Sequence, residues 1–211
     1  MGCDIHLYAE KKRKNKEYWD SVLDVNNSGI RDYDMFGFLA NGVRFSPDIE
    51  KYNPHDVNGL PDDCDYVTRR ASLLAITDKY GDWEDYTSSE NARKWHEYGC
   101  KYYKSERNTI PFTVTEVDDI PLDVDANNIM YFVEHPDWHS HSHISLSEYK
   151  DLLLQYVNYC NETYCTEEVV KETAEGFLDC DTESYLVALY NMLHSYERGG
   201  CEVRLVYWFD N

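Results

Sequence analysis

The sequence predicts an α+β fold in which a single mixed sheet contains both terminal strands and helices pack on it. Three observations predict this. The segment Asp4-Ile5-His6-Leu7-Tyr8-Ala9-Glu10 alternates with period two, which is the pattern of a strand with one apolar and one polar face. The run Val203-Arg204-Leu205-Val206-Tyr207-Trp208-Phe209 follows Gly199-Gly200 and is apolar nearly throughout, as expected of a central strand buried on both faces. Ser145-Leu146-Ser147-Glu148 has the spacing of a capping box. It opens a stretch in which Tyr149, Leu152, Leu153, Tyr156 and Val157 recur at helical intervals.

The remaining elements follow from the same rules. Ile129 to Val133 reads as a third strand and Trp19 to Val25 as a weaker one. Thr182 to Tyr196 reads as a helix with Tyr185, Leu186, Leu189, Leu193 and Tyr196 on one side, stopped at Gly199. Shorter helices are expected at Asp32 to Ala40, Val67 to Thr77, Ser89 to Glu97 and Thr166 to Glu175. No βαβ repeat, internal repeat or low-complexity segment interrupts this pattern. The 211 residues, without a long linker, suit one α+β domain spanning 1–211, with room for an inserted lobe at about 80–127.

Charge narrows the choice of partner. Forty acidic residues against twenty basic ones leave a formal charge of −20, which repels phosphate polymers and excludes duplex nucleic acid as the expected partner. The only dense basic run is Lys11, Lys12, Arg13, Lys14 and Lys16, which reads as a hairpin tip or loop. Two partner classes stay open. One is a small phosphate-containing ligand gripped by a few local arginines. The other is a basic protein surface that normally holds nucleic acid, for which this chain would be an acidic mimic. Homo-oligomerisation is compatible with either. The seven cysteines, at positions 3, 64, 100, 160, 165, 180 and 201, form an odd set without a CxxC pair or a preceding signal segment. Reduced thiols in the cytoplasm are the expectation, with Cys3 the most reactive. No run is long enough for a membrane helix, so no membrane partner is expected. Met1-Gly2-Cys3 looks superficially like an acylation signal, but His6 stands where that pattern requires Ser or Thr.

The densest group of reactive side chains is Glu134-His135-Pro136-Asp137-Trp138-His139-Ser140-His141-Ser142-His143, between a predicted strand and the capped helix. In an extended stretch the alternation sends His139, His141 and His143 to one side, where two imidazoles can act as acid and base or ligate a metal. Either role needs a second element. The polar face of the first strand offers Asp4, His6 and the Cys3 thiolate, ligand types that suit zinc or another divalent ion without choosing one. The bland alternative is a surface loop whose rings stack on Trp138.

Asn58-Gly59-Leu60-Pro61-Asp62-Asp63 is a turn signature in which Gly59 takes positive φ. Its two aspartates read first as turn and cap residues, and second as ligands, with Asp63 the candidate for contact with a bound molecule. Arg31 and Arg44 flank a short predicted helix in an otherwise acidic region. Each can fork onto a protein carboxylate or onto a ligand phosphate, and phosphate gains weight if the two converge. Tyr33 and Phe36 can stack a base, or simply belong to the core.

Five segments together resemble a family of small, uncharacterised phage and bacterial proteins. The segments are Met1-Gly2-Cys3-Asp4-Ile5-His6, then Arg31-Asp32-Tyr33-Asp34-Met35-Phe36 with Val43-Arg44, then Gly59-Leu60-Pro61-Asp62-Asp63, then His139-Ser140-His141-Ser142, and Trp208-Phe209-Asp210-Asn211 ending Val203 to Asn211. That family has Trp or Tyr where this chain has His143. The resemblance implies that the motifs converge on one site, and it implies a phage setting in which such a protein counters a host defence. The expected function is therefore binding and hydrolysis of a small nucleotide-like phosphodiester. Arg31 and Arg44 would hold phosphate, Tyr33 and Asp63 would contact the ligand, and His139 and His141 would do the chemistry, completed by Asp4 and His6. A sponge that only sequesters the same ligand is the nearest alternative.

Overall fold

The computed structural model describes residues 3–25, 32–43, 47–80, 85–107, 112–126, 128–164 and 185–210. In chain order the elements are β1 (Asp4–Arg13), β2 (Asp20–Asp24), α1 (Tyr33–Leu39), α2 (Pro47–Glu50), α3 (Tyr66–Ala71), β3 (Leu74–Ile76), β4 (Tyr86–Thr87), α4 (Ser89–Glu97) and β5 (Tyr102–Glu106). They continue with β6 (Thr115–Val117), β7 (Ile129–Val133), β8 (His139–Ser145), α5 (Leu146–Thr163), α6 (Tyr185–Arg198) and β9 (Cys201–Asp210). The fold is α+β, and both terminal strands lie side by side in one sheet. The strands form two sheets, however, where the sequence pattern suggested one. The helix expected at Thr166 to Glu175 falls outside the described residues, as does the start of the one expected from Thr182.

The chain divides into two compact units, 1–63 with 140–211, and 64–139. The first unit is built on a four-stranded sheet of order β2-β1-β9-β8. Its longest ladder is the antiparallel pair β1 and β9, in register from Asp4 opposite Asp210 to Arg13 opposite Cys201. Because opposed residues in a ladder share a face, Ile5 with Phe209, Leu7 with Tyr207 and Ala9 with Leu205 form one apolar surface. Met35, Phe36 and Phe38 of α1, Leu153 of α5, and Leu189 and Leu193 of α6 join these residues in one core. Two polar details hold the helices in place. The Tyr207 hydroxyl donates to the Leu39 carbonyl at 2.7 Å. Ser145 and Glu148 complete the expected capping box at the start of α5, satisfying donors that a helix end leaves bare.

The second unit carries the sheet β4-β3-β7-β5-β6, with β7 at its centre. Each face buries its own cluster, Leu74, Ile76, Tyr102 and Val133 in one and Leu73, Ala75 and Phe132 in the other. The helix expected over Val67 to Thr77 ends at Ala71, and Leu74–Ile76 is instead a buried strand. A short apolar run has no period that separates the two states; here pairing with β7 decides.

Candidate functional site

The polar face of β1 meets a matching face of β9, and the register assembles a row of side chains from the two strands: Asp4 with Asp210, His6 with Trp208, Tyr8 with Val206, and Glu10 with Arg204. The row has two ends with different chemistry.

At one end the His6 ring stacks on Trp208, with centroids 5.3 Å apart and planes 9° from parallel. His141, from β8 on the other flank of β9, stacks on the same indole at 5.6 Å. Tyr8 joins the stack at 5.4 Å. The two imidazole centroids can therefore be no further apart than those two histidine distances combined. His6 Nε2 donates to Asp210 Oδ2 at 3.1 Å, and Asp210 Oδ1 accepts from the Asp4 amide at 3.0 Å. A carboxylate only accepts, so Asp210 assigns the proton to Nε2 and the basic lone pair to Nδ1. The His6 and Asp210 side chains keep 23% and 30% of their exposure, whereas the indole between the histidines is fully buried.

β8 lies at the edge of its sheet and is closed by the Asn58-Gly59 turn. Gly59 takes φ of 83° as expected, and its amide donates to the His141 carbonyl at 2.9 Å. The Asn58 carboxamide acts like a second strand's peptide group: it accepts from the Ser142 hydroxyl and the His143 amide and donates to the His143 carbonyl. His143 Nδ1 donates to Gly59 O at 3.0 Å, which commits that ring to holding the turn. Ser142 and Ile144 are buried on the opposite side from His141 and His143. Ser140 has φ of 54°, a conformation that interrupts strand alternation. His141 and His143 share a face by strand parity, after the break that Ser140 makes in the alternation.

At the other end of the row lies a buried ion pair. Arg204 Nε donates to Glu10 Oε2 at 2.8 Å, and Nη1 donates to Asp63 Oδ1 at 2.7 Å. The guanidinium lies 3.8 Å over the Trp19 ring, and Trp19 Nε1 donates to Asp63 Oδ2. Asp63, expected to contact a ligand, is thus committed to Arg204 and Trp19. Burial works to raise the Asp63 pKa, but the bonds from Arg204 and Trp19 outweigh it and hold the carboxyl below its ordinary range.

The other expected site residues are distributed as follows. Arg31 and Arg44 lie outside the described residues, so their expected convergence does too. Tyr33 is exposed at the start of α1, edge-on to Phe36 at 5.8 Å. His139 is the last residue of the second unit. In that unit the ring that stacks on Trp138 belongs to His135, at 4.9 Å. Cys3 is buried, which argues against the reactivity expected of it. Cys3, Cys64, Cys100, Cys160 and Cys201 are unlinked, while Cys165 and Cys180 lie outside the described residues. Among the described residues no three His, Cys, Asp or Glu side chains converge in a way that could hold a metal ion, and no helix is long and apolar enough to cross a membrane.

The resemblance counted Val203 to Asn211 among the converging motifs, but Asp210, Trp208 and Arg204 had no individual role in the sequence reading. Their shared parity in the last strand was a usable signal. What was missing was the register that sets them opposite Asp4, His6 and Glu10. No family description, curated protein or solved structure matches this chain.

Proposed function

We propose that the first unit binds a small nucleotide-like phosphodiester and cleaves it by imidazole acid–base chemistry, in the cytoplasm of a host cell if the chain is phage-borne. One observation carries the reading: a carboxylate-anchored histidine, His6 with Asp210, and a second histidine, His141, flank one rigid indole. Asp210 orients His6 and stabilises its imidazolium, the role a carboxylate plays behind a catalytic histidine. His6 Nδ1 then takes the proton from the ligand's 2′-hydroxyl as that oxygen attacks phosphorus. His141 protonates the leaving oxygen as the P–O bond breaks. Each transfer contributes roughly two to four orders of magnitude. The phosphate is held by cationic side chains, for which Arg31 and Arg44 remain candidates.

The test is incubation of the full chain with linear and cyclic dinucleotides and oligonucleotides, with and without chelator, followed by mass analysis. Cleavage by the wild type that is lost in His6→Ala and in His141→Ala supports the reading. A ligand bound but recovered intact replaces it with sequestration. Neither binding nor cleavage overturns it and leaves the acidic mimic of nucleic acid as the reading to pursue. A chelator-sensitive reaction would replace the metal-free mechanism with one using a divalent ion.

A further inference from the structure

A second feature of the first unit lies on the opposite face of the β1–β9 ladder from His6. Lys11 and Arg13 have the parity of Leu7 and Ala9, and Cys201 is opposite Arg13 in the register. On this face, beyond the apolar core, the hairpin end of β1 and the turn from α6 into β9 enclose a groove of about 570 Å³. That is the size of an ordinary small-ligand site, which runs to roughly 300–1,000 Å³.

The lining is anomalous for this chain. Three of its nine residues are Lys11, Arg13 and Lys14, and none is Asp or Glu, although forty acidic residues give the chain its charge of −20. Several lysines elsewhere among the described residues pair with carboxylates: Lys12 with Glu202, Lys51 with Glu162, Lys79 with Asp125, Lys94 with Glu90 and Lys101 with Glu116. Lys11, Arg13 and Lys14 have no such partner among the described residues. Lys11 is not loose, because its ammonium sits 4.2 Å over the Tyr196 ring, which also lines the groove. Gly199 and Gly200 form part of the wall without side chains, which leaves room for a bulky anion.

We propose that this groove binds a phosphorylated small molecule of nucleotide size, gripped through its phosphates by Lys11, Arg13 and Lys14. Three cations lining one groove suit a polyphosphate or a phosphate-rich headgroup better than a carboxylate, because phosphate offers several acceptor oxygens at once. The groove takes its ligand without involving His6 or His141, so the inference stands or falls independently of the acid–base reading.

Cys201 lines the groove and gives it a local readout. The full chain is alkylated with iodoacetamide in the presence of ATP, tripolyphosphate or adenosine, and labelling at Cys201 is followed by peptide mass analysis. ATP and tripolyphosphate should protect Cys201, and adenosine should not. The Arg13→Ser, Lys14→Ser double variant should raise the half-protecting concentration roughly tenfold or more, because two of the three charged donors to phosphate are removed. Ser195→Glu, which sets a carboxylate into the same wall from an exposed helix position, should have a similar effect without altering the hairpin. Three results would overturn the proposal: no protection by either polyphosphate, protection by adenosine equal to that by ATP, or wild-type protection in both variants.

Discussion

The two ends of one sheet face answer the same physical problem in different ways. Glu10 and Arg204 sit opposite each other with side chains 0% and 9% exposed, and they are completed by Asp63 and stacked on Trp19. His6 and Asp210, four residues along β1 and six along β9, form an equally direct contact but stay partly open. The first pair is a charge buried in the fold, offset by the bonds from Arg204 to Glu10 and Asp63 and by its stack on Trp19. The second is a polar pair at the surface, where water can still reach the imidazole. The lesson is that polar residues alternating along a strand are not in themselves a site. Exposure at the end of the ladder separates the functional candidate from the structural pair.

The largest expected effect lies at the sealed end. Arg204→Ala should cost about 3–5 kcal/mol of stability, because Glu10 is left as an uncompensated buried charge. Urea unfolding of Arg204→Ala, Glu10→Ala and a Glu10→Leu, Arg204→Met double variant checks this. The double variant should recover much of the loss, and equal losses in all three would show that packing rather than charge is responsible.

At the open end the effect should fall on chemistry. Asp210→Asn should lower any turnover by about a hundredfold or more while leaving the His6–Trp208 stack in place, because the amide no longer fixes the tautomer of His6. Single-turnover measurements across pH on the substrate identified in the cleavage screen would detect it. Unchanged rates would remove Asp210 from the mechanism.

Stability should respond much less at this end. His6→Ala should cost about 1 kcal/mol, the scale of a partly exposed hydrogen bond to a carboxylate and a stacking contact. If it destabilised the protein as much as Arg204→Ala, the division between a sealed and an open end would fail.

The smallest effect concerns acid. Asp63 is held below the ordinary carboxylate range by Arg204 and Trp19, against the effect of burial. A carboxyl depressed in the folded state adds stability above its unfolded pKa, near 3.9, and loses it as pH falls through the lower folded value. Wild type and Asp63→Asn should therefore differ by a constant amount above about pH 4 and converge below it. Unfolding midpoints measured between pH 2 and 6 would show the convergence, and a gap independent of pH would mean that the carboxylate's charge is irrelevant.

Local physics made several parts of this protein legible in its sequence. Period-two alternation located β1, the apolar run located β9, and the spacing of Ser145 and Glu148 located the cap of α5, because each depends only on neighbours along the chain. His6, His141, Gly59 and Asp4 were singled out on the same grounds. Lys11 to Arg13, read as a hairpin tip or loop, instead continue β1, which puts Lys11 on the face opposite His6. What lay beyond reach was register and partnership. No local pattern says that Asp210 meets His6, that Trp208 receives rings from two flanking strands, or that Asp63 turns to Arg204. A positive φ at Ser140 is likewise invisible in a run of alternating His and Ser. The three contacts depend on pairing between segments far apart in the chain, which only the closed tertiary structure decides.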